Sequence, residues 1–185
     1  ITDVFGHGLG AALIASMIKI VFYMQKTCAD DPVRFLREMN DTLSKNIENL
    51  YLTAGYAFID LQAGTVTYAN AAHPPMVIHR RGTGEVVECK PRGRLMGWLD
   101  DIETECMVHN VQPGDRIILY TDGIVEAYDD KNKMFGYDAF YRLIQENSQL
   151  SPGEFTKFTF ETIGEWTGNP GHFQDDASIV VIDIV

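Results

Sequence analysis

Three acidic positions, far apart along the chain, carry the residue types for metal and phosphate chemistry. They are Asp3 in "TDVFGHGLGAAL", Asp122 in "LYTDGIVEA" and the pair Asp175 and Asp176 in "FQDDASIVVI". Each falls where a strand-like apolar run meets a glycine or a turn. Carboxylates gathered without counter-charges repel, and take up protons unless cations sit between them. Oxygen-only ligands select hard ions such as Mg²⁺ or Mn²⁺ over zinc or copper. Two such ions about 3.5–4 Å apart, bridged by a carboxylate, activate water and clamp a phosphoryl group. Taken singly, each acid also suits a commoner structural role, as an Asp–Gly turn or a helix N-cap. Their recurrence at strand termini favours the metal reading.

The elements that must position these acids follow from the hydrophobic period. Residues from Leu9 to Ala29 and from Pro32 to Asn49 read as two helices broken by "ADDP", with Pro32 at a first helical position. "LTAGYAFIDL", "QAG" and "TVTYANA" read as a hairpin. Further strands are expected at Met76–His79, Glu85–Cys89, Glu105–Asn110 and Arg116–Tyr120, with "QPGD" as a turn before the last. Helices are expected at Tyr137–Asn147 and Pro152–Thr167. "ASIVVIDIV" is apolar enough for a central strand. Met17, Phe22, Tyr23 and Met24 are core candidates. This order of helices, antiparallel strands and helices predicts an α+β layered domain, single over its 185 residues.

Fifteen Lys and Arg against 26 Asp and Glu give a formal net charge of −11. That argues against nucleic acid and against an anionic membrane as partners, since both need a basic stripe. Cys28, Cys89 and Cys106 show no C-x-x-C spacing, which predicts reduced thiols in a cytoplasmic protein and no zinc site. The run Ala11–Met24 is shorter than the roughly 20 residues of a spanning helix.

The ordered segments "TDVFGHGLGAAL", "YANAAHPP", "LMGWLDD", "VQPGDRIILYTDGIVEAYD", "MFGYDAF" and "FQDDASIVVI" resemble the successive signatures of the SpoIIE/RsbU group of bacterial PPM-type serine phosphatases, from the first residue to the last. The resemblance implies an antiparallel β-sandwich flanked by helices and two Mn²⁺ or Mg²⁺ ions. It also implies hydrolysis of phosphoserine or phosphothreonine on a regulatory protein, usually a STAS-fold anti-sigma-factor antagonist. By the same resemblance Asp3 bridges the ions, the Val4 carbonyl is a further ligand, and Asp122 and Asp175 bind from the other side. Asp176 orders the loop or holds a metal-bound water. Gly6 and Gly8 shape the loop, Gly123 follows the second acid, and His7 is either a general acid or, with somewhat more weight, a loop buttress. Glu126 faces the side of Asp122 if a helical turn follows "TDG". His73 shapes a strand connection, and His79, His109 and His172 read as surface or packing residues.

In this group another metal-binding aspartate comes from a "GGD"-like segment upstream of the glycine loop, and Asp3 is only the third residue. The chain therefore reads as N-terminally truncated, lacking the first strands. The expectation is a fragment that holds one ion or none, with weak or no activity of its own. Unpaired strand edges would favour a homodimer. An upstream sensor or receiver domain is expected, with rotation of the first two helices dragging Asp3 as the means of control. The competing readings are a non-catalytic module of the same fold that grips a phosphoprotein or sigma regulator, and a weakly supported dinucleotide site at "GHGLGA". The latter would need a parallel sheet and an acid at a strand end about twenty residues on.

Overall fold

The computed structural model describes residues 1–6, 8–46, 51–169 and 173–185. In chain order the elements are β1 (Thr2–Val4), α1 (Leu9–Met24), α2 (Pro32–Ser44), β2 (Leu52–Asp60), β3 (Thr65–Ala71), β4 (Met76–Arg80), β5 (Glu85–Cys89), β6 (Cys106–Asn110) and β7 (Arg116–Tyr120). They continue with α3 (Asp122–Val125), α4 (Tyr137–Glu146), α5 (Pro152–Trp166) and β8 (Ile179–Asp183). The class is α+β, with two four-stranded antiparallel sheets. The chain divides into two compact units, residues Ile1–His73 with Lys90–Val111, and Pro74–Cys89 with Gln112–Val185.

The first unit holds the sheet β1-β2-β3-β6. Helix α2 starts where the Asp31 carboxylate accepts the Arg34 N–H at 3.1 Å, with Pro32 in the first turn where its missing N–H costs nothing. Its Phe35, Leu36, Met39 and Leu43 recur at helical spacing and are buried with Leu52, Ala69 and Met96. The helix closes at Ser44 rather than running to Asn49, which lies outside the described residues.

Helix α1 also ends short of Ala29. At Met24 the chain tightens into a 3-10 turn over Lys26–Cys28, where the Cys28 N–H and thiol both donate to the Gln25 carbonyl. The four core candidates on this helix are not buried: Met17, Phe22, Tyr23 and Met24 are 37%, 46%, 56% and 67% exposed. Ile18 and Val21 are the buried positions of α1. The helix is apolar on nearly every face, so composition could not show which face meets the sheet. Phe22 still touches the Phe35 ring edge-on at 5.3 Å.

The second unit holds the sheet β5-β4-β7-β8. Helix α5 begins with a reciprocal capping box between Ser151 and Glu154. Tyr120, Ile124, Phe140, Leu143, Phe155 and Ile163 form the core, drawn from β7 and all three helices. The final strand is not central: among the described strands β8 stands at the end of the order, paired to β7 alone. Its apolar character comes from packing against α5 rather than from neighbours on both sides. Two ion pairs brace this unit, Arg80 with Asp115 and Arg116 with Asp183, both at 2.6 Å. The three cysteines are free, Cys28 and Cys89 buried and Cys106 exposed. Burial pushes the Cys89 thiol up to about 12, leaving it protonated and unreactive.

Candidate active site

In the first unit, β1 pairs antiparallel with β2 so that Asp3 stands opposite Thr53 and Val4 opposite Leu52. The strand hydrogen bonding carries on one residue further, with Phe5 N–H donating to the Tyr51 carbonyl at 2.9 Å. Then the chain turns through Gly6 (φ 105°) and Gly8 (φ 82°) into α1. Open space surrounds both, so it is the positive φ and not crowding that calls for glycine. Asp3 thus sits within the strand, two residues before the loop. His7 lies outside the described residues.

Beneath this strand pair lies a polar brace. The Thr53 hydroxyl and His73 Nδ1 are 2.7 Å apart. The buried Asn70 amide donates to the His73 carbonyl while its oxygen accepts the His73 N–H, both at 2.8 Å. His73 therefore shapes the strand connection, as its place between "NAA" and two prolines predicted. Its neighbour Ala72 carries a positive φ of 56°.

In the second unit, β7 delivers Thr121 and Asp122 at its end. Asp122 opens the short helix α3, and the helical turn after "TDG" is present, closed by Glu126 N–H to the Asp122 carbonyl at 2.7 Å. The segment bearing Asp175 and Asp176 packs back on that turn. Thr121 N–H donates to the Ser178 carbonyl at 3.0 Å, and Ser178 N–H donates to the Thr121 hydroxyl at 2.9 Å. That hydroxyl in turn donates to the Asp176 carbonyl at 3.2 Å. Gln174 adds a second clasp, its amide oxygen accepting the Tyr128 N–H at 3.0 Å. One Asp175 oxygen accepts the Asp176 N–H at 2.8 Å.

Gly123, Glu126, Ala127, Tyr128, Gln174 and Asp175 line a cleft of about 220 Å³. Glu126 and Asp175 thus line one space. The Asp122, Asp175 and Asp176 positions are therefore brought together within this unit, whereas Asp3 and Val4 belong to the other. Among the described residues no group of three or more His, Cys, Asp or Glu side chains forms a ready metal cage. His79 is a buried packing residue, His109 is partly buried, and His172 lies outside the described residues.

A resident cation suits Asp122. Its Oδ1 is buried and has no hydrogen-bond partner among the described residues. An anionic oxygen withdrawn from water without a donor is costly, and a hard cation is the ligand that removes that cost. Sequence reading had not singled out Thr121 or Gln174. The signal for Thr121 was there, a hydroxyl residue between an apolar strand and an Asp–Gly turn.

Two antiparallel sheets, with an aspartate at the end of a central strand and a second acidic loop clasped to it, match the fold of solved PP2C-type phosphatase domains. The chain belongs to the SpoIIE family: the pattern described as Stage II sporulation protein E matches residues 1–185. It is 25% identical over 183 residues to phosphoserine phosphatase RsbU of Bacillus subtilis, covering 98% of this chain and 54% of RsbU. Phosphoserine phosphatase RsbP of the same organism is 30% identical over 131 residues, covering 68% of this chain and 32% of RsbP. The chain thus spans about half the length of the first relative and a third of the second. In structure it is similar to the SiaA-PP2C domain of Pseudomonas aeruginosa, with a TM-score of 0.87 and 21% identity over 100% of this chain and 74% of that one.

Proposed function

We propose that the chain is the phosphatase domain of a larger regulatory protein and hydrolyses phosphoserine or phosphothreonine on a partner protein. The observation that carries this reading is the buried, unpartnered Oδ1 of Asp122 in a chain of the SpoIIE family. The proposed ligands are Asp3, the Val4 carbonyl, Asp122 and Asp175, holding Mn²⁺ or Mg²⁺. Such ions, when bound, supply Lewis acidity toward the phosphoryl group and make water more acidic.

The chain's own residues do the positioning. The Asp3 backbone is held by strand pairing, Asp122 by its place at the head of a helical turn, and Asp175 by the clasped loop. Asp176 orders that loop through its backbone. Gly6 and Gly8 let the chain turn between Asp3 and α1, and His7 stands as a candidate proton donor to the leaving serine oxygen.

The proposed substrate is a phosphorylated STAS-type regulatory protein, in keeping with the phosphoserine phosphatases named among the relatives. An upstream sensor or receiver domain would set the activity, and the proposed location is the cytoplasm. No described helix is long and apolar enough to cross a membrane. The net charge of −11 disfavours nucleic acid. Metal-dependent release of phosphate from a phosphoserine protein tests the reading.

The second reading is a non-catalytic module of the same fold that grips a phosphoprotein or sigma regulator. Binding of a phosphoserine protein with no turnover at any Mn²⁺ concentration would select it.

A further inference from the structure

Thr121 links the turn that begins with Asp122 to the acidic loop. The residue is 3% exposed, and its hydroxyl works in both directions at once. It accepts from Ser178 N–H at 2.9 Å and donates to the Asp176 carbonyl at 3.2 Å. Both partners belong to the segment that carries Asp175, while Thr121 itself is bonded to Asp122 through the chain. Next along, Gly123 leaves room for the same segment: a Cβ there would lie 2.7 Å from the Asp176 carbonyl oxygen and 3.1 Å from its carbon. The neighbour is backbone and cannot swing aside as a flexible side chain would. Two independent features, a hydroxyl bridge and a missing side chain, therefore hold the acidic loop at one spacing from the turn that begins with Asp122. The buried Oδ1 of Asp122 is the atom whose need for a cation makes that spacing matter.

We propose that Thr121 is a positioning residue whose hydroxyl sets the Asp175–Asp176 loop against the Asp122 turn, so that the affinity for Mn²⁺ or Mg²⁺ depends on it. This rests on the metal reading above. Groups that orient ligands from behind alter metal affinity by about 10–100-fold when removed. Valine keeps the shape of threonine but lacks the hydroxyl, leaving the Ser178 N–H without its acceptor. Serine restores the hydroxyl with one methyl fewer.

The test is Mn²⁺ binding by the complete gene product, followed by the electron paramagnetic resonance signal of free Mn²⁺, with circular dichroism and thermal melting recorded alongside. Thr121→Val is expected to weaken Mn²⁺ about tenfold or more. Thr121→Ser is expected to stay within about threefold of wild type. Gly123→Ala, which leaves the hydroxyl in place and displaces the loop, is expected to weaken Mn²⁺ as Thr121→Val does, and it decides the matter if Thr121→Val fails to fold. Wild-type affinity in folded Thr121→Val or in Gly123→Ala overturns the proposal, as does a Thr121→Ser variant no better than Thr121→Val. A wild-type protein that binds no Mn²⁺ removes the metal reading and this inference together, a result distinct from tight binding that ignores Thr121.

Discussion

Arg116 and Asp183 meet in a two-pronged ion pair across β7 and β8, Nε to Oδ1 at 2.6 Å and a terminal guanidinium nitrogen to Oδ2 at 2.9 Å. The same terminal nitrogen donates to the Leu150 carbonyl at 2.6 Å, and the guanidinium lies over the Phe155 ring at 5.5 Å. One buried cation therefore ties the last strand to its neighbour, to the loop before α5 and to α5 itself.

Removing the anion leaves Arg116 buried with its charge uncompensated. Asp183→Ala is expected to cost about 2–4 kcal/mol, below the full cost of a wholly buried pair because Asp183 keeps 30% of its side-chain surface. Urea unfolding checks this. Since β8 follows directly from the Asp175–Asp176 loop, the variant should also bind Mn²⁺ more weakly.

Asn40 is fully buried on α2, and its amide nitrogen donates to the Leu99 and Asp100 carbonyls at 2.9 and 3.1 Å. Its oxygen accepts the Gly97 N–H at 2.8 Å. These bonds pin a loop whose Trp98 is 67% exposed and rests against Tyr51 at 5.1 Å. Asn40→Ala should destabilise the fold by about 2–3 kcal/mol, because it strands several buried backbone groups. Faster collisional quenching of Trp98 in a Trp166→Phe background would show that the loop has been freed.

His79 is buried on β4, and desolvation, with help from Arg116, holds its imidazole below the ordinary value; Asp115 opposes this less strongly. The folded state therefore prefers the neutral ring. Above the unfolded value of about 6.5 the two states bind protons alike and His79 contributes no pH dependence. As pH falls below that value the unfolded chain takes up a proton that the folded one refuses, and stability drops until the folded pKa is reached. His79→Gln should flatten this loss as pH falls below about 6.5, measured as the difference in urea unfolding free energy.

Most strands and helix starts were legible because their signals are local. The period-two runs around "QAG", the Pro32 start of α2 after "ADDP" and the Pro152 start of α5 all appear at their expected places. The miss on α1 has a different origin. A helix apolar all round gives no preferred face, and only packing decides that Ile18 is buried while Met24 is not. The final strand misled for a related reason, since cover from a helix and flanking strands leave the same apolar mark. Of the candidate site, Asp122 was legible as an acid at a strand end, whereas Asp3 lies inside β1. The bridge through Thr121 was not legible, because it joins residues 55 and 57 positions apart.

Asp122 also offers a stability test free of turnover. Without metal, Asp122→Asn should melt no lower than wild type, because it replaces a carboxylate that has one buried, unpartnered oxygen. With Mn²⁺ at about 100 times its dissociation constant, wild type should gain about 2.7 kcal/mol and the variant far less.

The central claim is that these acids serve phosphate hydrolysis through a bound hard cation. Its most direct test is Mn²⁺-dependent hydrolysis of p-nitrophenyl phosphate by the complete gene product, beside Asp122→Asn. The account predicts activity that chelation abolishes and that falls by about 10³-fold or more in the variant. A folded, Mn²⁺-supplied wild type without activity, or activity unchanged in Asp122→Asn, would contradict it.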